Sequence, residues 1–258
     1  MEVRVLSPAL ALVLLALATS AAAALSSGWE AARPLPLART EVAAARLGSE
    51  IAVIGGFLAD GTSTGRVDAF SPRSERWRRL LDLPAQVNHA MVASASGGVL
   101  APGRLAQRML VLDLRTGRWL FAPGPSPREH LAVTAAGGIV YALAGRSGGT
   151  NFTTFEAYSP KRRTWRRLPP VPYPRGGTGA AVVPGRIVSL GGEEPGGTIS
   201  SVFAYDIATS HWMRLPDMRT PRHGLGVVAF GARVYAIGGG PQPGLHVSAA
   251  NEFLTLPK

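Results

Sequence analysis

The sequence predicts an all-β ring: a β-propeller of four-stranded antiparallel blades, five of them, closed by pairing an N-terminal strand with C-terminal ones. Two observations carry this. The five tryptophans stand at 29, 77, 119, 165 and 212, with gaps of 48, 42, 46 and 47 residues. Such regularity marks an array of similar units before any local structure is considered. The second observation is punctuation. The 31 Gly and 21 Pro occupy about a fifth of the 258 positions, against roughly 12% in average usage, which disfavours long helices. With 46% hydrophobic residues the chain can still fill a core, so Gly and Pro mark turns between short strands rather than disorder.

Each unit ends in an outer hairpin. Seven residues before each of the last four tryptophans (Trp77, Trp119, Trp165 and Trp212) stands a large apolar residue: Phe70, Leu112, Tyr158 or Tyr205. Turn formers such as Ser71-Pro72-Arg73-Ser74 and Asp206-Ile207-Ala208-Thr209 lie between. The spacing reads as a strand, a tight turn, and a second strand beginning near the Trp. Exits at Leu83-Pro84, Leu168-Pro169 and Leu215-Pro216 follow.

Upstream lies an inner hairpin made of two short apolar runs. Its second run ends in a Gly pair: Ile51 to Gly55-Gly56, Ile187 to Gly191-Gly192 and Val234 to Gly238-Gly239, with Ile139 to Ala144-Gly145 as the variant. A Gly pair permits positive φ and a close backbone approach that a Cβ would obstruct, so its meaning is structural.

The diglycine after a β-branched strand, the aromatic about fourteen residues later and the Trp seven beyond it resemble the Kelch repeat of the galactose oxidase and Kelch-like superfamily. The resemblance covers Gly28 to Pro257 and implies one four-stranded blade per repeat. The second unit departs from it, because Val99-Leu100-Ala101-Pro102-Gly103 replaces the diglycine and Leu112 the aromatic; that blade is expected to be irregular or to have a short inner strand. Trp29 comes too early to have three strands before it, and the chain stops where a further Trp would fall. The segment around Trp29 is therefore expected to complete the blade begun by residues 221–239 and 251–256, which leaves no open sheet edge in the ring.

Residues 1–24 read as a secretory signal and residues 25–258 as the propeller. Met1 to Arg4 give a charged start, Val5 to Ala18 are almost wholly apolar, and Ala21 to Ala24 supply small residues for cleavage. Fourteen apolar residues are short for a span, no later stretch is long enough, and no Cys is present for a lipid, so the expectation is a secreted, periplasmic or extracellular protein. The absence of Cys also excludes disulfides and thiolate metal sites. Asn151-Phe152-Thr153 matches the glycosylation acceptor pattern.

Aligning the units brings Arg39-Thr40-Glu41, Val87-Asn88-His89, Arg128-Glu129-His130, Arg175-Gly176-Gly177 and Arg222-His223-Gly224 to the start of the inner strands. Arg104, Arg146 and Glu193-Glu194 lie in the loops after the second strands, on the same face. The expectation is a ligand site at this mouth formed by Arg39, Glu41, Asn88, His89, Arg104, Arg128, His130, Arg146, Arg175, Glu193, Arg222 and His223. Four arginines would circle it and take an anionic or hydroxyl-rich ligand, since guanidinium forks bind carboxylates bidentately. Arginines at strand starts also cap carbonyls and pair with acids. Glu41, His89 and His130 share one aligned position and are the candidates for catalysis; two His and a carboxylate could hold a metal, but without a local spacing motif no metal and no cofactor are assigned.

The net charge is +11, and all 27 basic residues except Lys161 and Lys258 are Arg. A second basic group, including Arg73, Arg76, Arg115, Arg162, Arg163 and Arg166, falls on the outer hairpins and forms a rim that could hold an anionic cell-surface polymer or simply discourage sheet pairing. Export removes the chain from most nucleic acid, which is not assigned as a partner. The resemblance implies a monomeric, non-enzymatic module binding a protein or glycan at the mouth. Exported sialic acid mutarotases also resemble a signal followed by Kelch blades and give the alternative, a carbohydrate mutarotase or epimerase using Glu41, Glu129 or Glu193. Galactose oxidase activity needs a Cys-modified Tyr and is excluded.

Overall fold

A computed structural model describes residues 28–91, 93–95, 98–102, 108–113 and 116–257. The expected signal segment 1–24, Arg104 and Arg115, expected on the rim, lie outside the described residues. The architecture is a β-propeller of five four-stranded antiparallel sheets. From the axis outward, blade one is Ala43–Leu47, Glu50–Ile54, Val67–Ser71 and Arg76–Arg79. Blade two is Ala93–Ala95, Gly98–Pro102, Arg108–Asp113 and Arg118–Pro123. Blade three is Ala132–Ala136, Ile139–Leu143, Phe155–Ser159 and Thr164–Arg167; blade four is Gly179–Val183, Arg186–Leu190, Val202–Asp206 and His211–Leu215.

Blade five joins the two ends of the chain. Gly226–Phe230, Arg233–Ile237 and Asn251–Thr255 are completed on the outside by Trp29–Ala31, with Trp29 opposite Leu254 and Ala31 opposite Glu252. The seven-residue spacing of the sequence becomes a cross-strand pair in every other blade: Phe70 opposite Trp77, Leu112 opposite Trp119, Tyr158 opposite Trp165 and Tyr205 opposite Trp212. Four of these indoles reach backward: Trp29, Trp77, Trp165 and Trp212 donate to the carbonyls of Pro216, Arg33, Pro123 and Pro169, each at the outer edge of the preceding blade.

The core is divided into layers between neighbouring blades. Ile51, Phe70, Tyr235 and Phe253 fill the layer between blades five and one, Val188, Val234, Leu254 and Trp29 that between four and five, and Leu143, Phe155, Ile187 and Tyr205 that between three and four. Alternate residues of each strand face one layer or the other, so strands buried on both faces read as continuous apolar runs.

The Gly pairs stitch these layers at the inner end. Gly56, Gly145, Gly192 and Gly239 each donate a backbone N–H to the next blade, to the carbonyls of Val87, Arg175, Arg222 and Arg39. The last of these closes the ring from blade five to blade one. A Cβ on Gly56 would stand 2.5 Å from the Thr40 carbonyl oxygen, and one on Gly239 would stand 2.6 Å from that of His223, so both positions exclude a side chain sterically. No helix of the described residues is long and apolar enough to cross a membrane.

Candidate functional site

The aligned position that the sequence singled out is a backbone ring around the axis. Glu41, His89, His130, Gly177 and Gly224, one from each blade, all adopt left-handed backbone, with φ of 53, 52, 55, 67 and 58°. Amide to carbonyl hydrogen bonds run between them, from His89 to Glu41, from Gly177 to His130 and from Gly224 to Gly177, and Val42 donates to Gly224. A side chain at such φ costs about 1–2 kcal/mol that glycine avoids. Blades four and five use glycine; the other three keep Glu, His and His, and their side chains meet at the mouth.

The donor atoms of Glu41, His89 and His130 all lie within 4.8 Å of one another. His89 Nε2 is 3.3 Å from Glu41 Oε2 and 3.0 Å from His130 Nε2. Asn88 Oδ1 contacts His89 Nδ1 at 2.6 Å, while the Asn88 amide nitrogen donates to Ser63. Around this trio a second arc closes. Arg146 donates to Glu193 at 2.6 Å and to His130 Nε2 at 3.0 Å. His223 Nδ1 lies 3.3 Å from Glu41 Oε1, and its Nε2 lies 3.7 Å from Glu193 Oε2 and 3.0 Å from the Gln242 carbonyl.

Electrostatics follow from this enclosure. Burial alone would raise the Glu41 carboxyl, but the His223 contact and the charges of His89, His130 and His223 hold it below its ordinary value. Burial pushes His130 down, with Glu41 opposing. For His223 burial also lowers the imidazole, yet Glu41 and Glu193 outweigh it and the net shift is upward.

The expected circle of four mouth arginines is corrected. Arg39, Arg128, Arg175 and Arg222 do stand at equivalent positions, but their side chains are 2% exposed or less and turn back beneath the mouth. Each donates to the carbonyl sixteen residues on: Gly55, Ala144, Gly191 and Gly238. Three also bind a third-strand carboxylate: Arg39 to Asp68 at 2.7 Å, Arg128 to Glu156 at 2.7 Å and Arg222 to Glu252 at 2.9 Å. Their forks are engaged by the fold and brace the diglycine turns from below, although Arg39 Nε is left without a partner. Among the described residues, the guanidinium of the expected set that reaches the mouth is Arg146.

Glu41, Asn88, His89, His130, Arg146, Glu193 and His223 stand together at one end of the axis, and Glu129 approaches His130 Nδ1 at 3.7 Å. Ser63, the Gln242 carbonyl and the Gly244 amide, which donates to Glu193 at 2.9 Å, were missed. They come from the loops after the second strands of blades one and five, where Phe57 and Gly240 take the positions of Arg146 and Glu193 and the polar groups stand further along, so register gave no signal; only the Gly240-Pro241-Gln242-Pro243-Gly244 run could have marked a built loop. Among the described residues the mouth is lined by carboxylates and imidazoles with the guanidinium of Arg146, and it can accept hydrogen bonds from hydroxyls, donate from Arg146, or ligate a cation.

A family model described as the KLHDC2/KLHL20/DRC7 Kelch-repeats domain matches residues 41–239. Kelch-like protein 35 of Mus musculus is 31% identical over 122 residues, which is 47% of this chain and 21% of that protein. Kelch-like protein terF of Aspergillus terreus (strain NIH 2624 / FGSC A1156) is 30% identical over 156 residues, 51% of this chain and 34% of that protein. The chain spans about a fifth to a third of the length of these curated relatives.

Proposed function

Since the chain belongs to the Kelch-repeat family, we propose that it is an exported, monomeric, non-enzymatic binding module that takes a protein or glycan ligand at the loop face of its propeller. The observation that carries this reading is the convergence of Glu41, His89, His130, Glu193, His223 and Arg146 at one end of the axis on backbone fixed by the ring closure. Rigid elements hold such groups for recognition without a further ordering cost. The correction of the arginine circle alters the ligand chemistry. Among the described residues, carboxylate acceptors with Arg146 as the guanidinium donor favour a hydroxyl-rich or amine-bearing ligand over a polyanion.

The adjacency of the Glu41 carboxylate to two imidazoles supports one second reading, a sugar-processing enzyme resembling sialic acid mutarotases, because proton donors and acceptors on a bound sugar are what anomer exchange requires. A glycan array followed by NMR of anomer exchange separates the two. Binding without accelerated exchange supports the module, and accelerated exchange overturns it. Export is tested by N-terminal sequencing of protein recovered outside the cytoplasm, with Leu25 expected as the first residue.

The basic rim is a separate proposal. Arg162, Arg163, Arg166 and Arg167 are exposed on the outer hairpin of blade three and are suited to salt-dependent holding of an anionic cell-surface polymer. Replacing all four with Ser is expected to abolish low-salt retention on the cell surface; unchanged retention would remove the proposal.

A further inference from the structure

We infer that the mouth of the ring is a divalent transition-metal site of the zinc class, held by Glu41, His89 and His130 with coordination positions left open toward solvent. Three independent features point there. The first is spacing. Ligands about 2.0–2.2 Å from a tetrahedral zinc stand about 3.3 Å from one another. His89 Nε2 to Glu41 Oε2 is 3.3 Å and His89 Nε2 to His130 Nε2 is 3.0 Å, so two edges of the trio already have the separation a bound ion needs.

The second is the tautomer. Arg146 Nη2 lies 3.0 Å from His130 Nε2, and a guanidinium only donates, so that nitrogen presents its lone pair and the proton sits on Nδ1, facing Glu129 Oε1 at 3.7 Å. His89 is oriented the same way. Its Nδ1 faces Asn88 Oδ1 at 2.6 Å, while the Asn88 amide nitrogen is engaged by Ser63, which leaves Nε2 bare. An acceptor behind the imidazole is the arrangement that fixes a ligating histidine in metal sites; Asn88 Oδ1 supplies it to His89, while His130 Nδ1 is buried without a hydrogen-bond partner, with Glu129 3.7 Å away. His89 Nε2, His130 Nε2 and Glu41 Oε2 then face one another as three acceptors, of which His130 Nε2 already accepts from Arg146, and a cation entering between them would satisfy all three.

The third is placement. All three residues occupy the left-handed column where glycine serves in the remaining blades, so their Cα positions are fixed by the closure of the ring rather than by flexible loops. Exposure of the side chains at 11, 31 and 11% leaves a path to solvent on one side. Two imidazoles and one carboxylate favour zinc or its first-row neighbours over magnesium or calcium, which prefer all-oxygen shells. Arg146 is the competing cation. It must turn away from His130 when the ion enters, and its ion pair with Glu193 at 2.6 Å gives it somewhere to stay. The ion site does not depend on which ligand the propeller takes.

The test uses the exported protein stripped with chelator and titrated calorimetrically with zinc, with magnesium and calcium as controls. The expected result is one zinc per chain, no competition from magnesium or calcium, and affinity at least tenfold weaker in His89→Asn and in His130→Asn, where Asn tolerates the left-handed backbone. Arg146→Gln is expected to bind zinc as tightly as the native protein or more so. Absence of binding in the native protein, binding indifferent to both histidine substitutions, or loss of binding in Arg146→Gln overturns the site. Should a variant fail to fold, X-ray absorption on the zinc-loaded native protein decides: two imidazole ligands support the site, and fewer overturn it.

Discussion

The guanidinium of Arg175 lies over the ring of Phe203, 5.4 Å from its centroid, where the other buried arginines meet a carboxylate. Phe203 stands two residues before the aromatic Tyr205, as Asp68 stands before Phe70 and Glu156 before Tyr158. Blade four thus replaces an ion pair with a cation–π contact, supplemented by Ser201, whose Oγ accepts from Arg175 at 2.6 Å. The consequence is electrostatic. Burial pulls the Arg175 guanidinium down to about 10, with no carboxylate in contact to oppose it. Arg39 also falls to about 10 through burial, because its Asp68 is shared with Arg66 at 2.8 Å.

Two substitutions at Phe203 separate these contributions. Phe203→Ala removes both the packing and the π face and is expected to cost about 3–5 kcal/mol. Phe203→Glu restores the partner that Arg128 and Arg222 have, and is expected to recover at least half of that loss, because a paired buried guanidinium is far less costly than an isolated one. Urea unfolding measures both; equal destabilisation by Ala and Glu would show that the ring's packing alone matters.

The ring closure makes a sharper steric prediction. Gly48 and Gly239 both have positive φ, 60 and 91°, but a Cβ on Gly48 meets nothing within 4 Å while one on Gly239 meets the His223 carbonyl at 2.6 Å. Gly48→Ala is expected to cost about 1–2 kcal/mol from backbone strain alone. Gly239→Ala must in addition displace the strand whose amide binds the Arg39 carbonyl, and is expected to exceed about 4 kcal/mol or abolish soluble folding. Similar unfolding midpoints for the two variants would contradict this account of closure.

The blades were legible in the sequence because each landmark corresponds to one contact repeated around the ring. The Trp and the aromatic seven residues earlier are a cross-strand pair, and the diglycine is an amide that reaches the next blade. The mouth was only half legible. Glu41, His89 and His130 shared a column, but that Gly177 and Gly224 stand in the same column because all five positions take left-handed backbone became visible only in the structure. The direction of the four arginines was not readable from register, since a side chain at a strand start can turn outward to the mouth or inward beneath it. What decided it was a buried acid in the third strand, Asp68, Glu156 or Glu252, a pairing across about thirty residues that fails in blade four.

The tryptophans should not be equivalent despite their shared register. Trp29 is 5% exposed and locks the first described strand against the last, while Trp119, in the second blade, is 54% exposed. Trp29→Ala is expected to cost about 3–5 kcal/mol, and Trp119→Ala about 1 kcal/mol or less. The comparison requires only melting temperatures of the two variants. A larger loss at Trp119 would mean that blade five does not close the ring through its outer strand.

The mouth gives stability a characteristic pH profile in metal-free protein. His223 has its folded value raised above its ordinary 6.5, since Glu41 and Glu193 outweigh burial; its contribution is complete below about 6.5 and is lost as pH rises through the folded value. His130 is lowered from the same 6.5, by burial first, so the unfolded chain takes up the proton more readily and stability falls as pH drops below about 6.5. Glu41, held below its ordinary 4.5, adds a further loss as pH falls beneath that value. Stability against urea in the presence of chelator is therefore expected to peak near pH 6.5. His223→Gln should flatten the alkaline limb and leave the His130 fall below about 6.5 in place, whereas His130→Asn should remove that fall, keep the alkaline limb and leave the Glu41 loss below 4.5. An alkaline limb that persists in His223→Gln would show that another group, and not the Glu41 and Glu193 contacts of His223, controls stability above neutrality.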